Sequence, residues 1–174
     1  MTLSEIVHAG TVAGRERSRL IPASAYTFEG TEGRVRLGDL FAGHRQLIVY
    51  HTMPDRIRHA NPPDEVADRL ARLRRRDSRL VLVSSAPSAK IEQYRRYLGR
   101  SLPCYSVTDR GFGSDFPATT GVPADGGDDE IPGLSVFHRI GRTVLHTGSI
   151  GIPGLDFLVR ALSVLTPAGT LQCG

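Results

Sequence analysis

The chain has 174 residues, enough for one domain, and its 40% hydrophobic and 23% charged residues exclude a disordered or fibrous chain. Lys+Arg 22 against Asp+Glu 18 gives a net charge of +4, a weak electrostatic footprint that argues against a nucleic-acid partner. Lys90 is the only lysine, so 21 of the 22 cations are arginine. No apolar run approaches the roughly 20 residues of a membrane span. Residues 1–20 carry Glu5, Arg15, Glu16, Arg17 and Arg19 without an apolar signal region, so a cytoplasmic protein is expected. A chain of this size buries enough surface to fold without disulfides or a structural metal, which suits its two cysteines, Cys104 and Cys173.

Residues 1–23 lack strong periodicity and read as a helical or irregular arm, packed loosely on the domain or used in a homodimer contact. Tyr26-Thr27-Phe28 and Arg34-Val35-Arg36-Leu37 alternate apolar with polar residues around Gly30-Thr31-Glu32-Gly33, a hairpin pattern, and Asp39-Leu40-Phe41 follows as a short helical turn. The near-continuous apolar run Gln46 to His51 predicts a central strand covered on both faces. Asn61-Pro62-Pro63-Asp64 supplies a cap, a proline and a first-turn acid, and predicts a helix to about Arg76 with Val66, Leu70 and Leu73 on its inner face.

Leu80 to Val83 is a second buried strand, and Pro87 opens a second helix with Ile91, Tyr94 and Leu98 inward and Gly99 as its cap. Residues 102–108 form a further short strand, and residues 109–131, rich in Gly, Asp and Pro, read as a long functional or mobile loop. Leu134 to Arg139 and Thr143 to Thr147 flank Ile140-Gly141-Arg142 as an antiparallel hairpin. Leu155, Leu158, Val159, Leu162 and Leu165 recur at helical spacing before Pro167, leaving residues 168–174 as a tail. A βαβ unit joined to a ββα unit in one sheet predicts an α/β fold: a thioredoxin-like three-layer sandwich over residues 24–167 with a central mixed sheet.

Five segments carry a family resemblance: Val35 to Phe41, Arg45 to His51, Val81 to Pro87 with Ala89 to Glu92, Gly113 to Phe116, and Pro132 to Phe137. In this order they resemble a bacterial thioredoxin-like family of unassigned function, related to the peroxiredoxin and alkyl hydroperoxide reductase class. The resemblance implies a peroxiredoxin-like N-terminal hairpin. It also implies a Cys-x-x-Cys motif or a peroxidatic cysteine after the first central strand. Here that stretch runs from His51 to Pro63 and contains no cysteine. Disulfide exchange and peroxide reduction therefore have no sulfur at the position where a helix N-terminus would stabilise a thiolate.

The reworked stretch retains other chemistry. Backbone N–H groups at a helix start, with Arg56 and Arg58 before them and Asn61 at the cap, suit an anionic oxygen, although capping alone accounts for Asn61 and Asp64 equally well. His51 and His59 bracket Asp55, and a neutral imidazole steered by a carboxylate is a general base. A satisfied histidine at a strand end and an exposed loop histidine are the structural alternatives. The resemblance places a cis proline before the third central strand, where Ile131-Pro132 stands, so Ile131 and Pro132 would form one wall of a cleft opposite Tyr50 and His51. The 109–131 excursion adds Phe116 to that cleft.

His51, His59, His138 and His146 lack the spacing of a dedicated zinc site, so no metal or organic cofactor is expected. His138 and His146 lie on paired strands, where they either face each other or point to solvent. Three functional readings result. The first is a thiol-free protein that binds or transforms a small molecule through His51, Asp55 and His59, in bacterial specialised metabolism. The second is a non-catalytic binding or assembly protein using the same cleft, and the third a single-thiol redox protein using Cys104.

Overall fold

A computed structural model of the chain describes residues 19–51, 63–98, 102–116 and 133–151. Their strands are β1 (Arg19–Pro22), β2 (Thr27–Gly30), β3 (Gly33–Arg36), β4 (Gln46–His51), β5 (Ser78–Ser84), β6 (Cys104–Val107), β7 (Gly133–Ile140) and β8 (Thr143–Gly151). Helices α1 (Pro63–Arg74), α2 (Ser88–Leu98) and α3 (Arg110–Asp115) and a 3-10 turn at Asp39–Phe41 complete the described elements. The strands form one mixed sheet in the order β1-β8-β7-β4-β5-β6-β2-β3. β4, β5 and β6 are parallel neighbours, and β7 pairs antiparallel with β4. This is the expected α/β architecture with its N-terminal hairpin, since β2 and β3 pair antiparallel from Thr27↔Arg36 to Gly30↔Gly33.

Strand β4 is buried at all six positions because both faces of the sheet are covered. Right-handed crossovers that advance β4 to β5 to β6 place α1 and α2 on the same face. That face buries Ile48, Tyr50, Leu80 and Leu82 of the sheet, and the helices contribute Leu70, Leu73, Ile91 and Tyr94 to the core. The opposite face carries an apolar cluster of Leu47, Val49, Val81, Val83, Phe137 and Val144, with Leu40 and Phe41 of the 3-10 turn and Phe112 and Phe116 of the α3 region.

Two expectations are corrected and one helix end is fixed. Residues 19–22 are not part of a loose arm: they form an edge strand with Arg19 opposite His146 and Ile21 opposite Val144. Ile21 alone of the four is buried there, and alternation with solvated neighbours leaves little apolar signal in so short a strand. The start of the 109–131 excursion is helical, because the Asp109 side chain accepts from the Gly111 amide at 2.9 Å and caps α3 despite two glycines within it. Helix α1 ends at Arg74, after which Asp77 adopts a left-handed φ of 57° and turns the chain into β5. Gly99 and the helix expected over residues 155–165 lie outside the described residues.

Candidate functional site

Of the residues predicted to form the site, the structure describes Tyr50, His51 and Phe116. Asp55, Arg56, Arg58, His59, Asn61, Ile131 and Pro132 lie outside the described residues. Tyr50 and His51 are consecutive on β4, so they point to opposite faces of the sheet. Tyr50 is wholly buried on the face covered by α1 and α2. His51 shares the other face with Leu47 and Val49 and is itself buried. Phe116 is also on that other face, where its ring meets Phe112 at 5.0 Å and Phe137 at 5.3 Å. The sheet therefore separates Tyr50 from Phe116, and both serve as core residues rather than as the exposed wall of one cleft.

His51 closes β4 at the carboxyl end of the parallel strands, the edge of an open α/β sheet where ligands gather. Its cross-strand neighbours are Val83 on β5 and Gly133 on β7, and Gly151 stands beyond Gly133 on β8. Beside His51 on the β7 side the sheet thus presents two successive glycines, so no side chain competes there for the space over the backbone. One row back, Val49 aligns with Ser135 and Ser149.

Those serines belong to a polar group that sequence reading missed. His146 Nε2 lies 2.7 Å from Ser149 Oγ, and Ser149 Oγ lies 2.7 Å from Ser135 Oγ. Residues three apart on a regular strand face opposite ways; here an irregularity pairs Val136 with Gly148 and Phe137 with His146, leaving Thr147 as the extra residue. The bulge returns His146 and Ser149 to the same face. The same alternation puts His138, opposite Leu145, on the reverse face, so His138 and His146 do not meet across the hairpin.

The His146 ring packs edge-on against Phe116 at 4.8 Å and tilted against Phe137 at 5.2 Å. Burial in this apolar pocket pushes its pKa down to about 4; the Gly148 backbone opposes the shift, and the Arg19 charge adds to it. Arg19 stands opposite His146, lies 5.9 Å from the Phe116 ring centre and pairs with Asp115 at 3.3 Å. Asp115 also accepts from the Tyr26 hydroxyl, and this bond, with Arg19, holds its carboxyl below the ordinary range. Burial and the Asp115 charge raise the Tyr26 phenol in turn. Tyr26 holds a left-handed φ of 55°, so this contact is made at some backbone cost.

Cys104 begins β6, pointing toward the face covered by α2, and is buried with its Sγ 3.4 Å from the Leu102 carbonyl. Burial pushes its thiol up to about 12, a value that Arg95 moderates and Glu92 reinforces. A thiol in this state is protonated at neutral pH and is a poor nucleophile. Among the described residues no three His, Cys, Asp or Glu side chains gather to hold a metal ion, and no helix is long and apolar enough to cross a membrane.

Comparison with known proteins bears on the fold. The chain is similar to peroxidoxin BcpB from Mycobacterium tuberculosis, with a TM-score of 0.59 at 14% identity over 85% of this chain and 92% of that one. It is also similar to peroxiredoxin Q from Xanthomonas campestris, with a TM-score of 0.53 at 15% identity over 81% and 91% of the two chains. A mutant of PrxQ from Xylella fastidiosa gives a TM-score of 0.54 at 12% identity, covering 81% of this chain and 87% of its own. At these identities the likeness establishes the peroxiredoxin-type, thioredoxin-like fold and nothing about chemistry. A search of the curated proteins found no match. One family's sequence profile matches residues 13–170, and the chain therefore belongs to that family, the bacterial proteins of unknown function DUF899.

Proposed function

We propose that this chain is a thiol-independent member of its fold, which binds and transforms a small organic molecule at the carboxyl end of β4. The observation that carries this reading is the state of Cys104, whose thiol is buried and pushed up to about 12. The sequence places no cysteine between His51 and Pro63, where a peroxidatic thiol would sit. What the chain offers there is imidazole, carboxylate and guanidinium chemistry from His51, Asp55, Arg56, Arg58 and His59. In this reading His51 and His59 exchange protons with the substrate, Asp55 orients an imidazole, and the arginines with Asn61 bind an anionic oxygen. Ile131 and Pro132 immediately precede β7 in the sequence and would complete the site in this reading.

The two glycines beside His51 support a ligand close to the backbone. The reading implies a small-molecule partner, no organic cofactor, and no role for nucleic acid or a membrane surface; self-association as a homodimer is compatible with it. The test is a thermal-shift series with acetate, pyruvate, inorganic phosphate, imidazole and zinc chloride, on the wild type and on the His51→Ala, His59→Ala double variant. At a ligand concentration of about 100 times Kd, binding to the native state alone adds about 2.7 kcal/mol. We expect at least one anionic probe to raise Tm by about 5 °C in the wild type and by less than about 1 °C in the double variant. Equal shifts in both proteins, or none with any probe, overturn the assignment of the site to these residues.

A further inference from the structure

We infer that Ser149 and His146 form a nucleophile–base pair, a second reactive centre that accepts an acyl group from an activated ester. The inference does not use His51, Asp55 or His59 and stands apart from the reading above. It rests first on geometry: Ser149 Oγ and His146 Nε2 are 2.7 Å apart, within the reach a general base requires. It rests second on the hydrogen-bond chain in which the contact sits: Ser135 Oγ, Ser149 Oγ and His146 Nε2 follow one another at 2.7 Å, and in the neutral tautomer with its proton on Nδ1 the Nε2 atom accepts the Ser149 hydroxyl.

The Ser135 hydroxyl, wholly buried and 2.7 Å from Ser149 Oγ, then has Ser149 as its acceptor. The chain runs Ser135 to Ser149 to His146, with Ser149 as the member that must lose its proton. A triad of this form holds its imidazole with a third group. Here the two phenyl rings of Phe116 and Phe137, packed at 4.8 and 5.2 Å, fix the ring. Accessibility agrees with the assignment: His146 and Ser135 are buried, whereas Ser149 is half-exposed. The Thr147 bulge, which alone allows His146 and Ser149 to share a face, is a device that strands use to re-aim a side chain. Arg19, opposite His146 and tethered by Asp115, adds a half-exposed positive charge at the rim.

The step is acyl transfer. Ser149 Oγ forms a bond to the carbonyl carbon while its proton passes to His146 Nε2. The tetrahedral carbon collapses, the bond to the leaving alcohol breaks, and that alcohol takes the proton from His146. Water then attacks the Ser149 ester by the same route, releasing the acid and restoring the hydroxyl. The imidazole must carry a proton transiently in an apolar pocket, so an ester with a good leaving group is the fitting substrate class.

The experiment treats the full chain with p-nitrophenyl acetate, follows nitrophenolate release and locates the acetyl group by peptide mass mapping. The expected result is acetylation at Ser149 in the wild type. Release should fall by about 100-fold or more in both Ser149→Ala and His146→Gln, while Ser149→Cys remains acylated. Mapping of the wild type decides the matter even if a variant fails to fold. Acetyl groups confined to Lys90, the amino terminus or other nucleophiles, or undiminished release from a folded Ser149→Ala, overturn the pair. Survival of His51-dependent probe binding in Ser149→Ala keeps the two sites distinguishable.

Discussion

Acidification from pH 7.5 to pH 4 is expected to lower the unfolding free energy by about 3 kcal/mol through His146 alone. The native state holds this imidazole neutral, with its pKa pushed from the ordinary 6.5 down to about 4, chiefly by burial against Phe116 and Phe137. In the unfolded chain the ring protonates as the pH passes below 6.5. Between these two values the unfolded state therefore binds more protons, and stability falls as pH falls. Below about pH 4 the native ring also protonates and the contribution levels off. His138, half-buried with its pKa also lowered by burial, adds to the same slope. The check is urea denaturation across this range for the wild type and His146→Gln. The variant should lose most of the slope whatever its stability at pH 7.5. An unchanged slope would show that His146 is solvated in the native protein.

The second large effect belongs to Phe112. Its ring, wholly buried, meets Tyr26 at 5.2 Å, Phe28 at 5.1 Å and Phe116 at 5.0 Å. It thereby joins the N-terminal hairpin to the strands on which His146 stands. Phe112→Ala removes these contacts and leaves a cavity that rigid neighbouring rings fill poorly, a change that costs about 4 kcal/mol. For a chain of this length that corresponds to a Tm lower by about 10 °C, measurable by scanning calorimetry. Phe112→Leu, which keeps most of the volume, should recover more than half of the loss. A fall of under about 1 kcal/mol for Phe112→Ala would mean that α3 is not docked on the sheet as described.

The sheet was legible in the sequence because its strands announce themselves. Gln46 to His51 and Leu80 to Val83 are apolar on both faces, as strands covered by helices must be. The hairpins at Gly30–Gly33 and Ile140–Thr143 carry turn glycines with positive φ at Gly33 and Gly141. Strand β1 escaped because four residues with one buried side chain give no period. Helix α3 escaped because its cap, Asp109, is followed by Gly111 and Gly113, which read as loop. At the site, the position of His51 was legible from its place at the end of a buried strand.

The Ser149–His146 contact was not legible. A separation of three residues on a strand predicts opposite faces, and only the extra residue at Thr147 reverses that. The placement of Phe116 failed for a related reason. A phenylalanine in a Gly- and Asp-rich stretch reads as a loop aromatic near a cleft, whereas the short helix before it turns the ring into the core.

Whether this fold operates here without a thiol is tested most directly by hydrogen peroxide consumption in the presence of dithiothreitol. The wild type and the Cys104→Ser, Cys173→Ser double variant would be compared at equal concentration. Because Cys104 is buried and its thiol is pushed up to about 12, the predicted result is no consumption above the dithiothreitol background in either protein. A protein-dependent rate in the wild type that disappears in the double variant would contradict the account and return the chain to thiol chemistry.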